Sequence, residues 1–267
     1  ARAPRAAPAQ APEAPAALRV CTYNLLAPCF FRDGDGGLEA QSPAQWEPRA
    51  KAQLQAVLGE AGAHVVCLQE VWLDSRMLAL IRAAAEEHGF RVVVCQPRGG
   101  GGERPDGVAI LLREGRLEVL ETAQETLCQE TGRVLLLAHV RLLGVGKDAL
   151  ELAVGCTHLT HPHGDHTNRL RMVQAWKAGL AVKAFLKARC GEDGAAAVLA
   201  GDLNAVVPKD DAALEALTSL GWASAFAEVH DQDAFVTHRA HTGRAMHADF
   251  VLLWGPVRAV AAAALPW

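Results

Sequence analysis

Short apolar runs alternate along the chain with longer segments of helical periodicity. LRVCTYNLLA, HVVCLQEVW, RVVVCQ and VAILLR are rich in Val, Ile and Leu, which is typical of buried strands. We expect further strands over AAAVLAGDLN and near positions 117–121, 133–143, 150–157, 234–238 and 247–253. The consecutive strands in the middle of the chain are spaced as hairpins, with no helix between them.

Apolar positions at helical spacing predict helices over 47–60, 74–89 and 167–189, and another near 210–220. Pro48 suits the first turn of the first of these helices. Strands that alternate with helices and also form hairpins fit neither a purely parallel sheet nor an all-β fold. We therefore expect a four-layer α/β sandwich, in which two stacked mixed β-sheets are flanked by helices.

The first seventeen positions differ in texture from the rest. Residues 1–17 are dominated by Ala and Pro and carry Arg2 and Arg5 against one acid, Glu13. Such a segment cannot bury a core, so we expect a disordered tail followed by a single domain over 18–267. An acid-poor, Ala-rich start also resembles the remnant of a transit peptide. That favours an organelle, the chloroplast before the mitochondrion, with a cytoplasmic location as the alternative.

Composition narrows the choice of partners. The chain has 267 residues, of which 51% are hydrophobic, and a net charge of −4. It can bury a large core, but it lacks the strongly basic footprint of a protein that binds long nucleic acid. Seven cysteines without a CxxC pair indicate buried free thiols, with a zinc site or disulfides as the alternative. No apolar run is long enough to span a bilayer.

Polar residues of the metal-binding or catalytic type follow several of the predicted strands. They are Asn24, Glu70, His158, the pair Asp202 and Asn204, and Asp249. Any one of them alone is an ordinary turn or surface residue. Their occurrence at the ends of so many strands in one chain indicates a site presented by the edge of a sheet.

These residue types suit the hydrolysis of a phosphate ester. A hard cation held by carboxylate oxygen can neutralise the charge that repels a nucleophile, so Glu70 is a natural Mg²⁺ or Mn²⁺ ligand and Asn24 can add an oxygen. Asp202 can orient or deprotonate an attacking water, and Asn204 can hold that water or a phosphoryl oxygen. His158 can donate a hydrogen bond to developing charge.

The motifs TYNLLA, CLQEVW, DGVAIL, THL, GDLN and ADFVLL follow one another in the order found in the endonuclease/exonuclease/phosphatase superfamily. The resemblance covers about 18–255 and implies a deoxyribonuclease I-like fold. FVTHRAHTGRAMHADFVLLWGP is most similar to the plant-type calcium-binding members, and the chain also resembles nocturnin, the deadenylases and neutral sphingomyelinases. No DxDxDG calcium loop occurs, so the EF-hand part of the plant-type proteins is missing.

The resemblance also assigns roles, position by position. It places Asn24 and Glu70 at the metal and Asp106 near the scissile phosphate. His158, Asn204 and Arg169, the last on a helix that is similar to one in the sphingomyelinases, would bind phosphate. The resemblance makes Asp202 and Asn204 the pair that orients the nucleophile, and Asp249 a late acid beside the site.

One departure from the family pattern affects the expected activity. Active members carry a C-terminal Ser-Asp-His, and no such motif follows Asp249 here. The native protein could be longer, or His247, His241 or His163 could substitute. We expect a divalent-metal-dependent phosphoesterase acting on a nucleotide, an RNA 3′ end or a phospholipid head group. The alternative is a catalytically impaired scaffold or structural subunit of an organellar assembly.

Overall fold

The computed structural model describes most of the chain beyond the predicted tail. The described residues are 17–32, 36–97, 105–144, 150–191, 195–205, 211–231, 236–239 and 245–265. The predicted tail therefore lies outside the described residues except for its last position. Among the described helices, none combines the length and the apolar character that a membrane span requires.

Strands form where the apolar runs predicted them, and most bounds agree to within a few residues. The strand near 117–121 is longer than expected, because its outward positions are polar and mask the pattern. The strands are β1 Val20–Asn24, β2 Val65–Trp72, β3 Phe90–Pro97, β4 Asp106–Arg113, β5 Leu117–Cys128, β6 Arg133–Leu142, β7 Glu151–His158, β8 Ala196–Asp202, β9 Ala223–Ser224, β10 His238–Arg239, β11 Ala245–Met246 and β12 Asp249–Trp254.

The strands form two large mixed sheets. The first has the order β1-β2-β4-β3 and the second the order β5-β6-β7-β8-β12-β9, while β10 and β11 form a separate hairpin-like pair. The neighbours β1 and β2 are parallel, as are β7 and β8, and the other pairs in these two sheets are antiparallel. This architecture confirms the prediction of two mixed sheets.

Helices cover the outer faces of both sheets. The described helices are α1 Pro43–Leu54, which continues as a π-helix over Gln55–Glu60, α2 Ser75–Glu87, α3 Asp165–Cys190, α4 Ala212–Ser219 and α5 Ala225–His230. The sequence pattern did not predict α5, because six residues are too few to show a 3.6-residue period. The other helices lie where their periodicity placed them, except that α1 begins at Pro43 rather than near 47. Pro43 therefore lies in its first turn, and Pro48 lies inside the helix, contrary to the expectation.

Three apolar clusters fill the spaces between the layers. One lies between the sheets and combines side chains such as Ile110 of β4 with Leu136 of β6 and Val154 of β7. A second packs α1 and α2 on the first sheet, and a third packs α3 and α4 on the second. The order helices, sheet, sheet, helices is the expected four-layer α/β sandwich.

The described cysteines are free, and Cys67 and Cys156 are buried in the core between the sheets. The side chain of Cys95 lies outside the described residues. Free thiols agree with the expectation from composition.

Candidate active site

Strand register brings the predicted site residues to one edge of the two sheets. In the second sheet, His158 at the end of β7 lies opposite Asp202 at the end of β8. Asp202 in turn lies opposite Asp249, the first residue of β12. In the first sheet, β1 ends at Asn24, which lies opposite Gln69, the residue before Glu70. Two parallel pairs and one antiparallel pair thus present their polar termini together.

The amide of Asn24 joins the two sheets at this edge. Its Nδ2 donates to Oε1 of Glu70 at 3.2 Å and to Oδ2 of Asp202 at 2.9 Å. Its Oδ1 accepts from the main-chain N–H of Leu26 at 2.9 Å, which fixes the orientation of the amide. The other carboxylate oxygen of Glu70 accepts from the main-chain N–H of Ala27 at 3.0 Å. One amide therefore holds two carboxylates from different sheets in fixed positions.

Backbone strain concentrates at the same edge. Among the described residues, positive φ outside glycine occurs at Leu26, Glu70, Asn204 and Asp231, with values of 51°, 49°, 54° and 56°. The pairing of β2 with β4 shifts register around Glu70, and such a bulge re-aims a side chain. Left-handed backbone is costly for Glu70, whereas Asn adopts it more readily. The conformation of Glu70 therefore indicates that its side-chain direction matters.

Asn204 contacts the histidine beside it. Its Nδ2 donates to the main-chain oxygen of Leu159 at 3.0 Å, which fixes the amide, and the same nitrogen lies 3.1 Å from Nε2 of His158. Nε2 also lies 3.6 Å from Oδ2 of Asp202. The ring of His158 is thus held between an amide and a carboxylate.

Burial and mutual repulsion act on the carboxylates. Desolvation raises the pKa of Glu70, with the nearby charges of Asp202 and Asp106 adding to the effect and hydrogen bonds from Asn24 and Ala27 opposing it. Desolvation, followed by the charge of Asp202, also raises the pKa of Asp249 well above its usual range. Oδ1 of Asp249 is buried without a hydrogen-bond partner among the described residues. Two carboxyl groups here thus hold protons more tightly than free carboxyl groups do.

Close packing of β7 against β8 depends on a glycine in the GDLN motif. A Cβ at Gly201 would lie 2.0 Å from the main-chain oxygen of Thr157, a distance that no side chain can occupy. Any other residue would push apart the strands that carry His158 and Asp202. The motif therefore encodes the geometry of the site as well as its functional groups.

A family comparison agrees with this arrangement. A model described as the Endonuclease/Exonuclease/phosphatase family matches residues 21–267. The chain belongs to this family. A comparison with curated proteins gives no match.

Solved structures of other proteins share the fold. The catalytic domain of human nocturnin, solved with a bound sulfate, is 17% identical over 88% of this chain and 82% of that chain, with a TM-score of 0.62. ANGEL2, a 2′,3′-cyclic phosphatase solved with adenosine-2′,3′-vanadate, is 17% identical over 88% and 83%, with a TM-score of 0.66. A mannosyl-6-phosphatase from Bacteroides thetaiotaomicron is 16% identical over 90% and 86%, with a TM-score of 0.63. At these identities the likeness establishes the fold alone.

An arginine that the sequence pattern did not predict lies at the candidate active site. Arg133, the first residue of β6, lines one small cavity together with Asp106 and His158. The residue is buried, with 7% of its surface exposed. A buried cation beside the site is suited to an anionic substrate. Its signal in the sequence was an arginine directly before the long apolar run VLLLAHV, at the strand terminus that also presents the site.

Helix α3 was expected to supply Arg169 to the site, but its buried arginine is Arg171. Arg169 is exposed on α3, and its phosphate-binding role stays a prediction. Arg171 is buried, pairs with Asp211 at 2.8 Å and donates to the main-chain oxygen of Leu203 at 3.2 Å. Because Leu203 lies between Asp202 and Asn204, Arg171 positions the segment that carries both.

The histidines considered as substitutes for the terminal motif differ in environment. His247 is buried and stacks on Phe250, with ring centroids 4.1 Å apart, and Phe250 belongs to the core that faces the helices. The strand expected near 247–253 begins only at Asp249, so His247 precedes β12 instead of lying on it. His163 is exposed, and His241 lies outside the described residues.

The donor set at this edge fits a hard divalent cation. Glu70, Asp202 and Asp249 supply carboxylate oxygens, and Oδ1 of Asn24 keeps a lone pair beyond the one used by Leu26. Mg²⁺ and Mn²⁺ prefer such oxygen ligands. The unpartnered Oδ1 of Asp249 and the raised pKa values of Glu70 and Asp249 mark carboxylates whose charge a bound cation would compensate.

Proposed function

We propose that the chain is a divalent-metal-dependent phosphoesterase whose active site is the edge formed by the ends of β1, β2, β7 and β8. The observation that carries the proposal is the amide of Asn24 between the carboxylates of Glu70 and Asp202, at 3.2 and 2.9 Å. This amide holds the proposed metal ligand Glu70 and the candidate base Asp202 in fixed relative positions. Mg²⁺ or Mn²⁺ bound to Glu70 would neutralise charge on the phosphoryl group.

Asp202 is suited to orient the attacking water and accept its proton. Its Oδ1 accepts from the main-chain N–H of Asn204 at 2.8 Å, and its Oδ2 accepts from Asn24. Both oxygens are therefore fixed, so the carboxylate offers a lone pair in a defined direction without reorganising. Asn24 and Asn204 act through Asp202 by holding it in place.

His158 and Arg133 are suited to the phosphate. The ring of His158 can donate a hydrogen bond, and the cavity that it lines also contains Arg133 and Asp106. A hydrogen-bond donor and a buried cation at one cavity favour an anionic group there. Asp106 lines the same cavity and can accept a hydrogen bond from a water or from a donor group of the substrate.

We propose a small or short substrate: a nucleotide, an RNA 3′ end or a phospholipid head group. Nocturnin was solved with sulfate, ANGEL2 is a 2′,3′-cyclic phosphatase and the Bacteroides protein is a mannosyl-6-phosphatase, so this fold accommodates diverse phosphate esters. The net charge of −4 disfavours long duplex DNA.

A substrate panel tests the proposal. Nucleotides, oligoadenylate and sphingomyelin are incubated with the full chain in Mg²⁺, in Mn²⁺ and in EDTA, beside Glu70→Gln. The proposal predicts turnover of at least one substrate that requires metal and is lost in the variant. Turnover that is unchanged in EDTA would contradict it. Absence of turnover by a folded chain that still binds metal would favour the scaffold alternative.

We also propose an organellar location, which rests on the composition of residues 1–17 alone. The experiment fuses a fluorescent protein to the C-terminus of the natural full-length protein and follows it in a plant cell. Import into the chloroplast would support the proposal, and a diffuse cytoplasmic signal would contradict it.

A further inference from the structure

A second cluster of metal-ligating side chains lies at the opposite end of the second sheet. His139 of β6, Glu151 at the start of β7 and Cys190 at the end of α3 converge there. Nε2 of His139 lies 2.9 Å from Oε2 of Glu151 and 3.5 Å from Sγ of Cys190. Sγ of Cys190 lies 3.7 Å from the same Oε2. The three ligand atoms all lie within 4.8 Å of one another.

This cluster is separate from the candidate active site. Glu151 is the first residue of β7 and His158 the last. At about 3.3 Å per residue, a strand of this length separates its two ends by roughly 20 Å. A ligand at the cluster therefore does not touch the carboxylates at the other end.

The contacts do not form a nucleophile, base and acid relay. In such a triad the nucleophile contacts one ring nitrogen of the histidine and the acid contacts the other. Here the thiol of Cys190 and the carboxylate of Glu151 both face Nε2 of His139. Three groups that point toward one shared space are arranged as ligands of a common ion.

The distances agree with tetrahedral coordination. Zinc bonds of about 2.3 Å to sulfur, 2.0–2.1 Å to nitrogen and 2.0–2.2 Å to oxygen place ligand atoms about 3.4–3.6 Å apart. The sulfur atom of Cys190 lies 3.5 Å from nitrogen and 3.7 Å from oxygen. Only the separation of 2.9 Å between His139 and Glu151 is shorter, and it needs to open by about half an ångström.

Neighbouring residues prepare the ligands. Arg141 donates to Oε1 of Glu151 from Nε at 3.1 Å and from a terminal nitrogen at 2.8 Å. These bonds fix the carboxylate so that Oε2 points into the cluster, as carboxylates that bind metals are commonly held. His139 is buried, whereas Glu151 and Cys190 are half-buried, so one side remains open to water.

We propose that His139, Glu151 and Cys190 bind a zinc ion, with water in the fourth position. The combination of sulfur, nitrogen and oxygen donors suits this borderline-soft ion rather than Mg²⁺, which requires an octahedron of oxygens. The ion joins the last residue of α3 to β6 and β7 and stabilises that end of the sandwich. The proposal is independent of the proposed phosphoesterase activity.

Cobalt substitution tests the site directly. The metal-free full chain is titrated with Co²⁺, and the thiolate-to-cobalt charge-transfer absorption in the near ultraviolet is followed. Cys21 and Cys29 lie near the site carboxylates, so the assignment of the band to the cluster rests on its loss in Cys190→Ser. We expect the band to saturate at one ion per chain, to disappear in Cys190→Ser and to remain in the matched control Cys128→Ser, which changes another half-buried thiol.

Two further measurements keep the test decisive if a variant fails to fold. X-ray absorption of the zinc-loaded wild type should show one sulfur neighbour at about 2.3 Å. Zinc should raise the thermal midpoint of the wild type and of Glu70→Gln, but not that of His139→Gln. A wild-type chain without a charge-transfer band or a sulfur neighbour would overturn the proposal, as would a band that persists in Cys190→Ser.

Discussion

The two ends of the sandwich show how differently one fold can treat its carboxylates. At the far end, Glu151 is paired with Arg141, whose hydrogen bond lowers the pKa of that carboxyl group. At the near end, Glu70 and Asp249 contact amide, main-chain and hydroxyl groups, and burial raises the pKa of both. The same fold thus compensates a carboxylate with an arginine at one end and leaves carboxylates for an external cation at the other.

The backbone shows the same contrast. Glu70 and Asn204 at the near end have positive φ, whereas the described positions His139, Glu151 and Cys190 do not. Strain of this kind is retained where side-chain direction matters more than stability. This contrast agrees with the roles that we propose, catalysis at the near end and structural stabilisation at the far end.

The largest expected effect is that of Glu70→Gln. Removing the ligand charge weakens binding of the cation that stabilises the transition state, so kcat should fall by several orders of magnitude. Steady-state kinetics at saturating Mg²⁺ measure this. Glu151→Gln removes the same charge at the other end of the sandwich and should leave kcat unchanged. Equal losses of kcat in both variants would contradict the separate roles of the two ends.

Asp202→Asn should have the next largest effect. Loss of the group that accepts a proton from water should lower kcat by about 10²–10⁴-fold, with KM near the wild-type value. Initial rates over a range of substrate concentrations separate the two parameters. A raised KM with kcat preserved would instead give Asp202 a role in binding the ground state.

Substitutions at the two ends of β6 compare a site arginine with a remote one. Arg133→Gln removes the buried cation beside His158 and should lower kcat/KM by about 10–100-fold, because a charged hydrogen bond to the substrate is lost. Arg141→Gln, at the other end of the strand, should leave kcat/KM unchanged. If Arg133→Gln is as active as wild type, the arginine serves only to hold the fold together.

The smallest effect concerns stability. Because the pKa of Asp249 is raised in the folded state, the folded protein binds more protons than the unfolded chain as pH rises above about 4. The stability of the metal-free protein should therefore fall as pH rises through the raised pKa. Asp249→Asn should remove that fall and leave the protein more stable than the wild type at neutral pH.

Urea unfolding of the metal-free chain at several pH values measures this effect. Saturating Mg²⁺ should diminish the pH dependence in the wild type, since the cation replaces the protons. Identical slopes for the wild type and Asp249→Asn would show that another group causes the change.

Features that depend on local pattern could be predicted from the sequence. Most helices and strands and the presence of Asn24, His158 and Asp202 at strand ends followed from hydrophobic periodicity and turn chemistry. Glu70 was expected to follow its strand, but it lies within β2, at a bulge two residues before the strand ends at Trp72. The GDLN motif placed Asp202 and Asn204 together because the two residues are neighbours in the chain.

Features that depend on packing between distant segments could not be predicted from the sequence. Arg133 comes from a strand that lies far in sequence from the other site residues, and a lone arginine has no periodic signature. His247 seemed close to Asp249 in sequence, but the strand begins only at Asp249 and the ring packs on Phe250. His139, Glu151 and Cys190 meet only after α3 folds back across the sheet.

Direct binding of Mn²⁺ tests the central claim, that the near end holds the catalytic cation on Glu70. Electron paramagnetic resonance measures the Mn²⁺ that stays free when the metal-free chain is added. We predict binding by the wild type, at least tenfold weaker binding by Glu70→Gln, and unchanged binding by Glu151→Gln at the other end. Equal affinities for the wild type and Glu70→Gln would contradict the account.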